Sequence, residues 1–240
     1  MKTITNENYY QDTDYVTNSM LGYLNISEEH LIAYLKKEYT EIEALTFGSA
    51  YHCLVLTPQD FANKYAIKPF NLRGDKAKDF YAEAEKENKT VLSTPDYDLI
   101  CNMVEVLYSY NEIKELIEKS EVEKIFTGEI DEITAKSKQD GHISGTVLWD
   151  LKSTRDLANF NKSIELYNYD RQIAFYDMLN SCEKHLFIVQ EKQKPYLVGI
   201  VKITDKTITK GKMKVYELIK KYKNFKQEYR LEHRIIYSTY

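Results

Sequence analysis

Long apolar runs are absent from this sequence of 240 residues. No stretch approaches the ~18 consecutive apolar residues that a helix needs to span a bilayer. The N-terminal segment MKTITNENYYQ also lacks the apolar run of a secretion signal. We therefore expect a cytoplasmic protein that has no association with a membrane.

Cysteine is scarce as well, with residues at Cys53, Cys101 and Cys182. Their number is odd and their positions are far apart, which matches neither a disulfide framework nor the spacing of a zinc site. Three cysteines are also one fewer than the usual four that hold an iron–sulfur cluster. We expect these thiols to be reduced and mostly buried.

Net positive charge is lacking, since the formal charge is −4. Strong nonspecific adhesion to nucleic acid needs a basic surface that releases counterions from phosphate, so the net charge argues against it. A basic segment nevertheless lies near the C-terminus. Its lysines are Lys206, Lys210, Lys212, Lys214, Lys220, Lys221, Lys223 and Lys226. This segment is either the solvated face of an amphipathic helix or a surface that contacts DNA.

The composition is that of a folded chain, since 43% of the residues are hydrophobic and 13% are aromatic. A chain of this size and composition can bury a sizeable core. We predict one domain over residues 1–240, in which residues 1–120 are mainly helical and residues 121–240 form a sheet with flanking helices.

Helix signals prevail in the first half of the chain. Ser27 is a favourable N-cap for a helix that reaches about Leu35, and the apolar run AYHCLVL before Pro58 predicts a second short helix. Thr94 followed by Pro95 is a good helix start, and apolar residues recur at helical spacing after it. We therefore predict a helix in each of these places.

Strand signals begin at about Val122. From there to Ser153, alternating or β-branched residues broken by glycine predict three strands. An amphipathic stretch from Tyr169 to Leu179 follows, then two more strands (HLFIVQE and YLVGIVKI) joined by a turn, and a long helix from about Asp205. This order of elements is typical of an α/β or α+β fold.

The segment VLWDLKST is the most informative about chemistry. Side chains alternate along a strand, so Asp150 and Lys152 share one face while Leu151 points to the other. Since Trp149 and Leu151 can face the core, the acid and the lysine project toward a cleft or pair with each other. An ordinary salt bridge on an exposed strand has the same pattern, so this motif alone leaves both interpretations open.

Asp140 favours the interpretation of Asp150 and Lys152 as part of a functional site. It lies on the preceding predicted strand, and the turn from Gly141 to Gly145 folds its carboxylate toward that of Asp150. Two such carboxylates repel unless they are protonated or bridged by a cation, and Mg²⁺ prefers oxygen ligands. Lys152 can then orient or help deprotonate an attacking water.

Three further side chains are candidates near such a centre. Gln172 and Tyr176 lie four residues apart and share one helix face, where they can flank the site. His52 lies in an apolar helix beside small residues, which permit close packing against another element. Structural interpretations also stand, because Tyr176 can be a core aromatic and a lone histidine in such a helix is more often a satisfied core residue.

These segments together resemble the PD-(D/E)XK nucleases, and among them the phage and prophage exodeoxyribonuclease VIII-like group related to RecB-type nuclease domains. The resemblance rests on the order and spacing of short motifs over most of the chain. They are TNSMLGYLNIS, ALTFGSAYHCLVLTPQDF, the QD of KSKQDG, DLKST and YDRQIAFY. Two positions depart from the family pattern. Gln139 stands where proline or a small apolar residue is usual, and Ser153 stands where threonine is usual.

The resemblance implies a role for each candidate. The residues with an implied catalytic role are Asp140, Asp150, Lys152, Gln172, Tyr176 and His52. The implied metal ligands are Asp140, Asp150, the backbone carbonyl of Leu151, His52 and Glu123. A rival alignment takes Asp131, in TGEIDEI, as the first aspartate. We prefer Asp140, because KSKQD resembles the basic run before that aspartate in the group and the turn to Asp150 is tight.

The resemblance also implies an α/β fold with a restriction-endonuclease-like core, a mixed β-sheet flanked by helices, and an N-terminal helical region. The implied activity is a Mg²⁺-dependent exonuclease, with Mn²⁺ as a substitute, that hydrolyses double-stranded DNA ends in phage-type recombination. The implied assembly is a homo-oligomeric ring that works with a single-strand annealing protein, as a phage or prophage product in a bacterial host. The alternatives are a structure-specific or CRISPR-adaptation-type nuclease and a noncatalytic nucleic-acid-binding module on the same fold.

Overall fold

The computed structural model describes residues 4–5, 8–38 and 43–237. Its helices are α1 (Asn18–Ile26), α2 (Glu28–Leu35), α3 (Glu43–Leu56), α4 (Phe61–Lys64), α5 (Asp75–Lys86), α6 (Thr94–Tyr108), α7 (Asn111–Lys119), α8 (Phe160–Leu166), α9 (Tyr169–Leu179) and α10 (Asp205–Tyr237). Its strands are β1 (Tyr65–Lys68), β2 (Thr90–Ser93), β3 (Glu121–Ile130), β4 (Ile133–Ile143), β5 (Val147–Thr154), β6 (Lys184–Glu191) and β7 (Val198–Ile203).

Five strands form the main sheet, in the order β3-β4-β5-β6-β7. The pairing of β5 with β6 is parallel and the other pairings are antiparallel, so the sheet is mixed. Helices α8 and α9 connect the parallel pair, as a crossover between parallel strands requires. The predicted α/β fold with a mixed sheet flanked by helices is confirmed.

The predicted helix starts agree with the structure. The Ser27 hydroxyl accepts a hydrogen bond from the His30 backbone N–H at 3.3 Å, at the start of α2. Helix α6 begins at Thr94, with Ser93 as its N-cap. The amphipathic stretch is α9, and the closing helix begins at Asp205. These elements are predictable because capping and apolar spacing act within a few residues.

A second, two-stranded sheet is not among the sequence predictions. Strands β1 and β2 pair in parallel, with Tyr65 opposite Thr90. Each has four residues, which is too short for an alternating pattern to stand out, and α5 lies between them in sequence. The first 120 residues are therefore mainly helical, with this small sheet added.

Strand β5 lies between two buried layers. Trp149 and Leu151 are fully buried in a cluster that includes residues of α3 and α6. Leu148 belongs to a different cluster, which also contains Ile173 of α9. Side chains of β5 therefore alternate between the layers as predicted, and Asp150 shares the face of Leu148.

The three cysteines are free, as expected, and Cys53 and Cys182 are buried while Cys101 is partly exposed. Within the described ranges, no helix combines the length and the apolar composition that crossing a membrane requires.

Helix α10 carries the basic segment, and most of its lysines have partners within the chain. The contacts are Lys210 with Glu165, Lys212 with Asp177, Lys214 with Asp170, Lys221 with the backbone carbonyl of Leu24, and Lys223 with Asp131 and Glu132. The side chain of Lys226 lies outside the described residues. These contacts fit the interpretation as the solvated face of an amphipathic helix, and contact of this segment with DNA stays a prediction.

Close packing against α10 positions the helix that carries Gln172 and Tyr176. A Cβ on Gly211 would lie 2.1 Å from the Asp170 backbone oxygen, so only glycine permits this approach of α10 to α9. Beside it, Lys214 Nζ lies 2.8 Å from Asp170 Oδ2. Packing and an ion pair together hold α9 in place.

A buried carboxylate on α9 should make stability depend on pH. Burial alone raises the pKa of Asp177, but hydrogen bonds from His185, Lys212 and the Cys182 backbone N–H outweigh it and lower the pKa to about 2. Such a carboxyl stabilises the fold above its ordinary pKa of 3.8 and loses this contribution as the pH falls toward 2. We expect Asp177→Asn to lower the free energy of unfolding by about 2 kcal/mol at neutral pH.

Urea unfolding of both proteins at neutral pH and near pH 3 tests this dependence. The difference between wild type and Asp177→Asn should shrink by roughly half at the lower pH, because the unfolded carboxyl is then protonated while the folded one is not. Asp98→Asn replaces an exposed carboxylate on α6 and serves as the control. A difference that stays constant with pH would assign the loss to packing instead.

Candidate active site

The two aspartates of the predicted centre lie where β4 and β5 separate. The ladder between these strands ends at the pair of Gly141 and Trp149. Asp140 and Asp150 are the next residues in the same register, so they stand opposite each other beyond the last paired residues. The tight turn between the strands is therefore what brings the two acids together.

Trp149 controls the approach of the strands at this point. Its indole ring lies against Gly141, where a Cβ would come within 2.1 Å of Cζ2. The indole N–H donates to Ser120 Oγ at 2.8 Å, which fixes the ring from the other side. The residue that follows Asp140 must therefore be glycine.

Asp140 is held by groups from two other elements. Its Oδ2 accepts a hydrogen bond from the Leu151 backbone N–H at 2.7 Å and lies 3.3 Å from Nδ1 of His52 on α3. Burial by itself raises the pKa of Asp140, but the charge of His52 contributes to a net lowering. Burial likewise disfavours the charged imidazole, yet Asp140 raises the pKa of His52. His52 is therefore a partner of Asp140 and not an isolated core histidine.

Asp150 is 1% exposed and contacts two other candidate residues. Its Oδ1 accepts a hydrogen bond from Gln172 Nε2 at 3.0 Å. Its Oδ2 lies 2.6 Å from Lys152 Nζ in an ion pair. Burial, followed by repulsion from Asp140, raises the pKa of Asp150 to about 6. Asp150 is therefore a buried acid beside a second acid, an arrangement that a bound cation would stabilise.

Lys152 lies at the middle of the cluster. Its ammonium donates to Gln172 Oε1 at 2.9 Å and lies 4.5 Å from the ring centroid of Tyr169. Burial alone lowers the pKa of this lysine, but the charges of Asp150 and Asp140 raise it above its ordinary value. Two carboxylates, an amide and an aromatic face therefore keep Lys152 charged.

Helix α9 supplies the remaining contacts of the cluster. Gln172 Nε2 also donates to the Tyr176 hydroxyl at 3.0 Å, so the predicted pair shares a helix face. Tyr176 packs against apolar residues as well, so its structural interpretation holds beside the functional one. Tyr169 is missing from the sequence candidates. Its position three residues before Gln172, on the same helix face, is the signal that could have identified it.

Two further acids lie away from Asp140 and Asp150: Glu123, a predicted metal ligand, and Asp131, the rival first aspartate. Glu123 Oε2 lies 2.5 Å from Lys138 Nζ, so its carboxylate forms an ion pair instead of joining the aspartates. Asp131 occupies the turn between β3 and β4, where its Oδ2 lies 2.9 Å from Lys223 Nζ. The structure therefore gives no support to Glu123 as a metal ligand or to Asp131 as the first aspartate.

The oxygen donors suit a magnesium ion that also takes ligands from water and substrate. Among the residues placed by the structure, no three His, Cys, Asp or Glu side chains are grouped so as to hold a metal. The larger ligand set predicted with His52 and Glu123 is therefore not assembled. Mg²⁺ usually binds through one or two carboxylates and completes its octahedron with other oxygens. Asp140 and Asp150 meet this need, because the register places their carboxylates opposite each other where β4 and β5 separate.

The chain is similar to known proteins in sequence family and in fold. The model of a family described as a PDDEXK-like domain of unknown function (DUF3799) matches residues 17–233. No curated protein matches the sequence. A crystal structure from Eubacterium rectale, named as a presumed exonuclease, has a TM-score of 0.70 at 15% identity, over 94% of this chain and 86% of that one, and so shares the fold. An alkaline exonuclease from Laribacter hongkongensis matches 96% of this chain and 100% of its own at 12% identity, with a TM-score of only 0.39.

Proposed function

Because the chain belongs to the family of PDDEXK-like domains, we propose that it is a metal-dependent deoxyribonuclease that degrades double-stranded DNA from its ends. The observation that carries the proposal is the convergence of Asp140, Asp150 and Lys152 where β4 and β5 separate. Two acids and a cation in one buried cluster are the groups that hydrolysis of a phosphodiester needs. The exonuclease name of the solved structure that shares the fold supports attack at an end of the substrate.

The residues of the cluster have distinct roles in this proposal. Lys152 orients the attacking water and stabilises negative charge that develops on the phosphate. Gln172 keeps the lysine in place, because it accepts from Lys152 and donates to Asp150. His52 positions Asp140 through the contact between Nδ1 and Oδ2. Backbone and side-chain contacts thus orient both acids before substrate binds.

Asp140 and Asp150 are the residues that would hold Mg²⁺, with Mn²⁺ as a substitute. The ion, when bound, supplies Lewis-acid polarisation of the phosphate. The predicted role of the Leu151 carbonyl as a further ligand stays a prediction, since the contact observed for Leu151 is made by its N–H.

Digestion of linear and of closed circular duplex DNA tests the proposed activity. With Mg²⁺ present, the linear duplex should be degraded and the circle should survive, because an exonuclease needs an end. EDTA should stop the reaction. Cleavage of the circle would indicate an endonuclease, and intact linear DNA with both Mg²⁺ and Mn²⁺ would remove the nuclease proposal.

A noncatalytic nucleic-acid-binding module on the same fold is the second candidate. It is favoured by the pairing inside the site, where His52 contacts Asp140 and Lys152 contacts Asp150. Calorimetric titration with Mg²⁺ separates the two candidates. A nuclease should bind the ion and lose this binding in Asp150→Asn, whereas a noncatalytic module should bind duplex DNA and show no heat with the ion.

The proposal extends to the context that the family resemblance implies. It places the protein in phage-type recombination in a bacterial cytoplasm, as a homo-oligomeric ring that works with a single-strand annealing protein. Light scattering of the purified protein tests the assembly, since a ring requires a mass several times that of one chain. Several lysines of α10 form ion pairs within the chain, so the DNA contacts of this ring need not lie on α10 alone.

The aromatic face of Tyr169 should contribute to turnover through Lys152. Tyr169→Leu removes the ring that lies 4.5 Å from the ammonium and should lower kcat about tenfold, because a partly desolvated cation–π contact contributes roughly 1–2 kcal/mol. Tyr169→Phe keeps the ring and should stay near the wild-type rate. The pH profile adds a second readout, since loss of the ring lowers the pKa of Lys152 and should move the alkaline limb to lower pH.

Thermal melts of both variants control for packing, because the Tyr169 ring also lies 5.9 Å from that of Phe160. An equal loss of activity in Tyr169→Phe and Tyr169→Leu would mean that the hydroxyl, and not the ring face, is what matters.

A further inference from the structure

The parallel strands β5 and β6 end together at the edge of the sheet. Their last paired residues are Thr154 and Glu191. The Lys192 backbone N–H then donates to the Thr154 carbonyl at 2.9 Å, which places Lys192 beside the residue that follows β5, Arg155. Two basic side chains therefore leave the sheet next to each other.

Neither of these cations has an ion-pair partner in the part of the chain that the structure describes. Arg155 is exposed, and Lys192 is half-buried with its Nζ 4.3 Å from the ring centroid of Phe47. Burial, followed by the charge of Arg155, lowers the pKa of Lys192. Like charges held side by side without a counter-ion favour the binding of an anion.

The acids near this pair make other hydrogen bonds. Asp156 accepts from the Asn159 side chain at 2.7 Å, Glu191 from the Leu157 backbone N–H at 2.8 Å, and Asp96 from the Ser93 hydroxyl at 2.6 Å. Asp96 acts on Lys192 through its charge alone and favours the ammonium form. Among the described residues, these acids therefore leave Arg155 and Lys192 without an ion-pair partner.

The pair lies within reach of a strand bound at the candidate active site. Along β5, Arg155 is ~17 Å past Asp150, at roughly 3.3 Å per residue. On α3, Phe47 under Lys192 and His52 beside Asp140 are ~7.5 Å apart along the helix axis, at roughly 1.5 Å per residue. Nucleotides of B-DNA follow one another at ~3.4 Å along the axis, so either of these two separations corresponds to a few nucleotides.

We propose that Arg155 and Lys192 together bind a backbone phosphate of the DNA strand, a few nucleotides from the phosphate at Asp140 and Asp150. This inference rests on the proposed function, because it takes DNA as the ligand. The planar guanidinium of Arg155 contacts the phosphate through two N–H groups, and Lys192 adds a point charge. Such a contact holds the strand in register and reads no sequence.

The salt dependence of DNA binding tests the inference independently of cleavage. Binding of a fluorescent blunt-ended duplex is measured with EDTA between about 50 and 200 mM salt. Arg155→Gln and Lys192→Met keep most of each side-chain stem, so the packing of Lys192 on Phe47 is preserved. Each variant should weaken binding roughly tenfold near 0.1 M salt and reduce the slope of log K against log salt by about 1. Lys192→Arg keeps the positive charge and should show the wild-type slope.

Lys184→Met is the matched control, because it removes an exposed lysine at the opposite end of β6. It should leave the slope unchanged. Wild-type slopes in Arg155→Gln and Lys192→Met, or an equal drop in Lys184→Met, would overturn the phosphate site. Cleavage by the wild type with Mg²⁺ is measured in parallel. If the wild type cleaves DNA and the slopes are unchanged, only this inference is overturned. If the wild type is inactive, the proposed function is overturned.

Discussion

Asp150→Asn should abolish degradation of linear duplex DNA, with a loss of at least about a thousandfold in rate. The amide has nearly the size of the carboxylate but lacks the charge with which the buried Asp150 Oδ2 would hold a divalent cation. Lys152→Met should cause a similar loss, because it removes the ammonium 2.6 Å from that oxygen while keeping much of the stem. Initial rates at saturating Mg²⁺ measure both effects.

Controls separate this loss from unfolding. Asp98→Asn and Lys184→Met change the same residue types at exposed positions away from the site and should keep the wild-type rate. All four variants should melt cooperatively, since Gln172 can still contact the amide and hold it near its present position. Wild-type rates in both site variants would refute the assignment of the centre, while a loss confined to Lys152→Met would leave Asp150 with a structural role.

Gly141→Ala should destabilise the protein by roughly 3 kcal/mol and also reduce cleavage. The added Cβ would lie 2.1 Å from Cζ2 and 2.2 Å from Cε2 of Trp149, which is a full overlap with a buried ring. The ring cannot move aside easily, because its N–H donates to Ser120 Oγ. The strands must therefore part beside Asp140. The urea midpoint measures the loss of stability.

Gly48→Ala is the matched control for Gly141→Ala. It lies in α3, where a Cβ meets no described atom within 4 Å, and where alanine favours the helix by about 1 kcal/mol. Its urea midpoint should therefore rise slightly. The open space also corrects the expectation of close packing at this small residue near His52. A wild-type midpoint for Gly141→Ala would mean that Trp149 relaxes without cost.

Several elements of the site could be predicted from sequence because their signals are local. The alternation of Asp150 and Lys152 with buried neighbours follows from the strand period of two, and the short turn brings Asp140 opposite Asp150 in the register. The helical spacing of Gln172 and Tyr176 places them on one face. The roles of these residues in catalysis stay predictions until the variants are measured.

Other expectations depend on partners that are remote in sequence. The basic segment suggested a DNA-contacting helix, but Lys212 and Lys214 contact carboxylates of α9. Glu123 was expected among the metal ligands, yet it pairs with Lys138. No periodicity of a lysine-rich helix reveals whether an acid from another element will meet it, because that depends on how the two elements pack.

The sequence by itself determined the strands from 121 to 154, the helices α9 and α10, and the shared face of Asp150 and Lys152, because capping, turns and side-chain alternation act over a few residues. Only the tertiary structure decided that His52 meets Asp140, that Tyr169 covers Lys152, and that Arg155 and Lys192 lie side by side. These contacts join segments that are distant along the chain, and their distances depend on packing that no local pattern encodes.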